Sequence, residues 1–189
     1  MAETSSEMIP LGTKAPTFKL LDTRSNHYLS LDELHSEIAT VIMFICNHCP
    51  YVKHIQSKLV DVANHYQKEG IQFIAISAND IEAYPQDGPE YMHIEAVQHH
   101  YPFPYLYDAT QTVAKAYHAV CTPDFFVFDK DLRCVYRGCF DDATPGNKQT
   151  VTGQFLRAAL DNILHHQPVH PQQKASVGCN IKWKKQAQT

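Results

Sequence analysis

With 189 residues, 44% of them hydrophobic and 19% charged, the chain can bury one substantial core, which excludes a disordered polymer and leaves little for a second domain. A formal net charge of -4 argues against nucleic acid or an anionic membrane surface as the main partner, although twelve histidines would reverse that sign below about pH 6. The longest apolar run, Val41 to Cys46, is far too short to span a bilayer, so no membrane partner is expected either.

In chain order, Ala15 to Leu21 reads as a short strand that turns at Thr23 to Asn26, and Leu31 to His35 as one helical turn capped by Ser30. Val41 to Ile45 is apolar without alternation, as in a strand covered on both faces. From Pro50 the period changes: Val52, Ile55, Leu59, Val62 and Tyr66 mark one helix face, with Pro50 suited to its first position and Gly70 to the position just past its end. Ile71 to Ser77 predicts a second buried strand, completing a βαβ unit with a parallel pair. Helices are expected over Pro89–His100, Thr110–Ala119 and Val151–Leu164, and a hairpin from Asp124–Asp129 and Cys134–Arg137 around the turn Lys130–Leu132.

Residues Met1 to Pro10 have neither the basic start nor the apolar run of a signal peptide, so the cytoplasm is the expected compartment. Six cysteines there are expected to be reduced, catalytic or metal-bound rather than a static disulfide framework. Cys46-Asn47-His48-Cys49 stands at the junction of the buried strand and the long helix. Unpaired amides and the positive end of the helix dipole point at such sulfurs and favour thiolate, the form that attacks a disulfide. His48 adds a donor, and when protonated a charge, which would lower the sulfur pKa further and make the pair oxidising.

The chain resembles the thioredoxin superfamily, in its peroxiredoxin-like branch known as AhpC/TSA or redoxin. The residues that carry the likeness are Cys46-Asn47-His48-Cys49-Pro50-Tyr51-Val52, Asn79-Asp80, Cys121-Thr122-Pro123-Asp124 and Gly178-Cys179-Asn180-Ile181-Lys182-Trp183-Lys184, and it runs from about Gly12 to Lys184. The resemblance implies a thioredoxin-like α/β fold, a central mixed β-sheet with helices on both faces, and a dithiol opposite a cis-proline, Pro123. Its Thr122 backbone would then be a rail for an extended substrate segment. In thioredoxin-like reductases the residue at Cys46 attacks and the one at Cys49 resolves. In peroxiredoxins the peroxide-reactive cysteine corresponds to Cys49, with a threonine where this chain has Cys46 and an arginine near where it has Pro123. Both departures favour dithiol exchange over peroxidase activity. Thioredoxins also keep a buried acid beneath the dithiol; Val41 to Ile45 offers none, and Asp80 or Glu82 is the expected substitute.

These readings make Cys46 and Cys49 the catalytic pair, with His48, Pro50, Thr122 and Pro123 shaping the site and Asn79, Asp80, Cys121 and Cys179 as accessory candidates. Cys179 follows Gly178 in a tail that could reach the dithiol as a third, resolving thiol. Cys134 and Cys139 are expected to be packing residues. No cofactor is implied, and with no second Cys-x-x-Cys a structural zinc site is disfavoured. Substrates would be protein or small-molecule disulfides and thiols, served by an unidentified reductant; the alternatives are a thiol peroxidase and a metal- or partner-binding module without turnover. Residues 1–11 are expected to be extended or disordered and 12–167 to form the thioredoxin-like domain. The tail, 168–189, is expected to pack back on it because Trp183 is costly to leave in water.

Overall fold

A computed structural model describes residues 3–185. In chain order the elements are β1 (Glu3–Ser5), β2 (Lys19–Asp22), β3 (His27–Ser30), α1 (Leu31–Leu34), β4 (Ala39–Phe44), α2 (Pro50–Lys68), β5 (Gln72–Ser77), a single 3-10 turn (Pro85–Asp87), α3 (Pro89–Gln98), β6 (Tyr105–Tyr107), α4 (Thr112–Ala116), β7 (Cys121–Thr122), β8 (Asp124–Asp129), β9 (Cys134–Gly138), α5 (Gln154–Leu164) and β10 (Val177–Asn180).

Seven strands form one mixed sheet in the order β3-β2-β6-β5-β4-β8-β9. β4 runs parallel to β5, and β5 to β6, while β8 lies antiparallel on the other side of β4. Every residue of β4 is buried, because its side chains alternate between two cores. Val41 and Met43 pack with Val52, Leu59, Tyr66 and Leu156 under α2 and α5. Ile42 and Phe44 pack on the opposite face with Phe126, Leu31 and Tyr117. The sheet is thus covered by helices on both faces, the thioredoxin-like arrangement.

Local chemistry sets several boundaries. Ser30 and Glu33 form a reciprocal capping box that starts α1. Gly70 takes φ +85° just beyond α2, a conformation that glycine adopts without strain. The last helix begins at Gln154, later than its apolar pattern suggests, because Gly153 is left-handed (φ +68°) and its Cα lies against the Phe140 ring. The expected helix over Thr110–Ala119 shrinks to α4, bracketed by Gln111 (φ 62°) and His118 (φ 53°). β2 begins four residues later than expected, since the Ala15 amide donates to the Leu132 carbonyl instead of joining the sheet. Among the described residues no helix is long and apolar enough to cross a membrane.

A second, three-stranded sheet was not foreseen. β10 lies between β1 and β7, antiparallel to both. Residues 3–5, within the segment expected to be extended or disordered, are one of its strands; Met1 and Ala2, and residues 186–189 of the expected tail, lie outside the described residues. Trp183 is 38% exposed, contrary to the expectation that it would be tucked away, with the Lys115 ammonium 5.6 Å above its ring.

Candidate functional site

The site lies where β4 ends. The register pairs Phe44 with Asp124, so the residues that follow β4 face those that precede β8. Cys46 and Asn47 form the turn, Cys49 is the N-cap of α2, and Pro50 occupies the first helical position, where a missing N–H costs nothing. Across from them the Thr122–Pro123 peptide bond is cis. Cys46 Sγ lies 3.6 Å from Thr122 Oγ1, and Cys49 Sγ lies 3.2 Å from the Thr122 carbonyl oxygen. All six cysteines are free thiols, and the two at this corner are 3% and 0% exposed.

The two sulfurs differ in charge. The Cys46 thiol donates toward Cys49, and this bond, with burial and the nearby Asp87 carboxylate, raises the Cys46 pKa well above its ordinary value. Cys49 is lowered to about 5, first by that same donor, then by the Cys179 thiol, the Thr122 side chain and the Val52 amide in the first turn of α2, against an opposing desolvation. Against these, the Cys49 thiol donates to the Thr122 carbonyl at 3.2 Å, a contact that favours its protonated form. The anion is therefore favoured on Cys49, the sulfur that caps the helix.

The buried acid is neither Asp80 nor Glu82. Asp80 is half-buried and accepts the Glu82 amide at 3.1 Å, and Glu82 is exposed. The acid at the site is Asp87, at the end of the 3-10 turn and 0% exposed. It accepts the Asn47 amide at 2.9 Å, His48 Nδ1 at 2.5 Å and Asn79 Nδ2 at 2.9 Å. His48 stacks on Tyr84, with ring centroids 5.2 Å apart, and its Nε2 is buried without a hydrogen-bond partner. Cys46 Sγ, a His48 ring nitrogen and an Asp87 oxygen lie within 4.8 Å of one another. Among the described residues those three form the group that could hold a metal ion, although the Asp87 oxygens are already engaged by N–H donors. Asp87 sits in a proline-flanked loop segment, Pro85-Gln86-Asp87-Gly88-Pro89, where no periodicity or motif marked it.

Asn79 has two partners: it donates to Asp87, and its Oδ1 accepts the Lys182 amide at 2.8 Å. It thereby ties the acid to the C-terminal segment. In that segment Cys179 pairs with Thr122 across the β10–β7 register, so the Thr122 rail is taken by the chain's own strand. Burial first, then the influence of the nearby Cys49 sulfur, push the Cys179 thiol up to about 12. Cys121 is fully buried and raised chiefly by burial, with no hydrogen bond to the dithiol among the described residues. Cys134 and Cys139 are pushed up by burial to about 12 and about 11, and Cys139 lines the same cleft as Pro123. An open cleft lined by Tyr51, Ile55, Pro123, Phe140, Asp141 and Val177 adjoins the site.

The fold is shared with solved structures. An uncharacterized conserved protein from Geobacillus kaustophilus matches at 55% identity over 99% of both chains, with a TM-score of 0.97. A hypothetical protein from Sinorhizobium meliloti 1021 matches at 45% identity over 96% of this chain and 98% of that one, with a TM-score of 0.93. The thioredoxin domain of a thiol-disulfide oxidoreductase from Bacteroides vulgatus shares the fold at 15% identity, covering 71% of this chain and 92% of its own, with a TM-score of 0.57. No curated protein matches. The AhpC/TSA family model matches residues 11–137, which include the dithiol, the acid Asp87 and the cis-proline, and the chain belongs to the AhpC/TSA family.

Proposed function

We propose that the protein is a thiol–disulfide oxidoreductase whose working pair is Cys46 and Cys49. The observation that carries this reading is the placement of Cys46 and Cys49 at the amino end of α2, both sulfurs against Thr122 beside the cis Thr122–Pro123 bond. In this reading Cys46 attacks a substrate disulfide, its proton passing to the His48–Asp87 pair, and the departing substrate sulfur leaves as thiolate and takes that proton back. The Cys49 thiolate then attacks Cys46 Sγ, forms the Cys46–Cys49 disulfide and expels the second substrate sulfur. Each turn oxidises two protein thiols and reduces one substrate disulfide; run backward, the same steps oxidise a substrate dithiol. A Cys46 that is held protonated needs a base at the moment of attack, and Asp87 with His48 supplies one within reach.

Equilibration with a glutathione couple, followed by acid quench and disulfide mapping, tests this directly. A reversible Cys46–Cys49 linkage that Cys46→Ser and Cys49→Ser each abolish is expected. Thiols that stay fully alkylatable across the whole couple would overturn the reading.

A second reading, peroxide reduction by Cys49, is favoured by one observation: the anion on Cys49 is flanked by two thiols that could resolve an oxidised sulfur. Against it, the Arg137 guanidinium, on β9, is committed to the Ile9 carbonyl and the Gln173 side chain. Peroxide consumption that survives Cys46→Ser but not Cys49→Ser would establish it.

A further inference from the structure

The C-terminal strand is built into the site more closely than a packed tail requires. A Cβ on Gly178 would stand 2.0 Å from the Thr122 carbonyl oxygen and 3.2 Å from the Pro123 nitrogen, so only glycine lets β10 approach this close. The segment is clamped on both sides of Cys179. Upstream, Thr4 pairs with Gly178 and the Ser6 amide donates to the Ser176 carbonyl. Downstream, the Ile181 amide donates to Val120, the Asp80 amide donates to the Lys182 carbonyl, and Gln111 Nε2 reaches that same carbonyl at 2.8 Å. Cys179 is held opposite Thr122, whose carbonyl touches Cys49 Sγ, which brings the Cys179 thiol near enough to Cys49 for each to shift the other's pKa. Cys49 is therefore a central sulfur with a thiol on either side.

We propose that β10 is the dithiol's internal substrate, and that Cys179 exchanges into the Cys46–Cys49 disulfide to form Cys49–Cys179. This rests on the thiol–disulfide reading above. The Cys179 thiol loses its proton and attacks Cys49 Sγ; the Cys46–Cys49 bond breaks, Cys46 leaves as thiolate and takes up that proton. One disulfide is exchanged for another, with no net oxidation and no outside reagent. The consequence is a division of labour. Cys46 is freed to meet a second substrate while the oxidising equivalent waits on β10, and because the chain's own strand fills the rail, the incoming substrate is a small thiol or disulfide rather than an extended protein segment.

Disulfide mapping after oxidation with glutathione disulfide, on wild type and on Cys46→Ser, tests this. Wild type is expected to yield both the 46–49 and the 49–179 linked peptides. Cys46→Ser is expected to consume Cys49 and Cys179 together, as a pair, with Cys46→Ala giving the same result should the serine disturb the fold. Wild type that forms 46–49 alone, with both variants carrying glutathione or free thiol at Cys49 and a fully alkylatable Cys179, overturns the proposal and leaves the oxidoreductase reading standing. Wild type without a 46–49 linkage overturns both.

Discussion

Two buried carboxylates flank the end of β4, and they have opposite surroundings. Asp87, beyond β5, is 0% exposed and accepts three N–H groups. Asp124, at the start of β8, is 1% exposed; its Oδ1 accepts only its neighbour's amide, from Phe125 at 3.1 Å, and its Oδ2 has no hydrogen-bond partner. Burial pushes the Asp124 pKa up to about 8, against a smaller opposing pull from its few polar neighbours. Equal burial thus yields two different groups. Donors make the first an organiser of the loop that carries Asn47 and His48, and their scarcity leaves the second a cost that grows with pH.

The sharpest way to break this comparison is to remove Asp87. Asp87→Ala leaves the Asn47 amide, Asn79 Nδ2 and His48 Nδ1 buried without an acceptor, a loss of about 3 kcal/mol. Urea unfolding at neutral pH measures it. A variant as stable as wild type would mean that water or relaxation satisfies all three, and that Asp87 organises nothing.

Gly178→Ala comes next. Its Cβ would meet backbone rather than a flexible side chain, so β10 must lift from β7, at about 2 kcal/mol. Alkylation of the dithiol, now shielded by that strand, is expected to accelerate. Unchanged stability with unchanged alkylation would show that the strand is not wedged against Thr122.

How much of this was legible beforehand follows from distance along the chain. The β4–α2–β5 unit was plain because its signals are local: an unbroken apolar run, Pro50 at the helix start and Gly70 past its end. The cysteine pair at that junction was visible for the same reason. Asp87 was not, because its importance comes from contacts with Asn47, His48 and Asn79 across loops that no period links. The filling of the Thr122 rail by β10 joins residues more than fifty positions apart, and it was read instead as an open groove. Which sulfur is the more acidic was not legible, because the Cys179 thiol that favours the Cys49 anion comes from the far end of the chain. β6, three residues between Pro104 and Asp108, is too short for any pattern to show.

Asp124→Asn probes the other carboxylate and should act in the opposite direction from a change at Asp87. In the unfolded chain an aspartate titrates near 3.9, about four units below Asp124 in the fold. Between those values the folded state holds a proton that the unfolded state has lost, so stability falls as pH rises from about 4 and levels off only above about 8. The asparagine removes that slope. Its advantage over wild type should widen with pH and reach about 1 kcal/mol or more at pH 9, since part of the penalty remains as an incompletely bonded amide. Thermal unfolding of both proteins across the pH range decides it; parallel curves would mean that Asp124 is ionised without cost.

An effect read by spectroscopy rather than as unfolding concerns the sulfurs themselves. If Cys49 is lowered to about 5 by donors on both sides, its ultraviolet thiolate absorbance should persist well below neutrality and disappear on acidification near that value. Cys46→Ala removes the strongest donor and Cys179→Ala the next protein thiol. Each should raise the midpoint, the first by more, on the order of one pH unit and so about 1.4 kcal/mol of lost interaction with the anion. The ordering matters more than the size. A larger shift from Cys179→Ala would make β10, rather than the Cys46 side, the main support of the anion. No shift from either would return the acidity to the Thr122 hydroxyl and the amides of α2, and the two neighbouring thiols would then be bystanders to the charge.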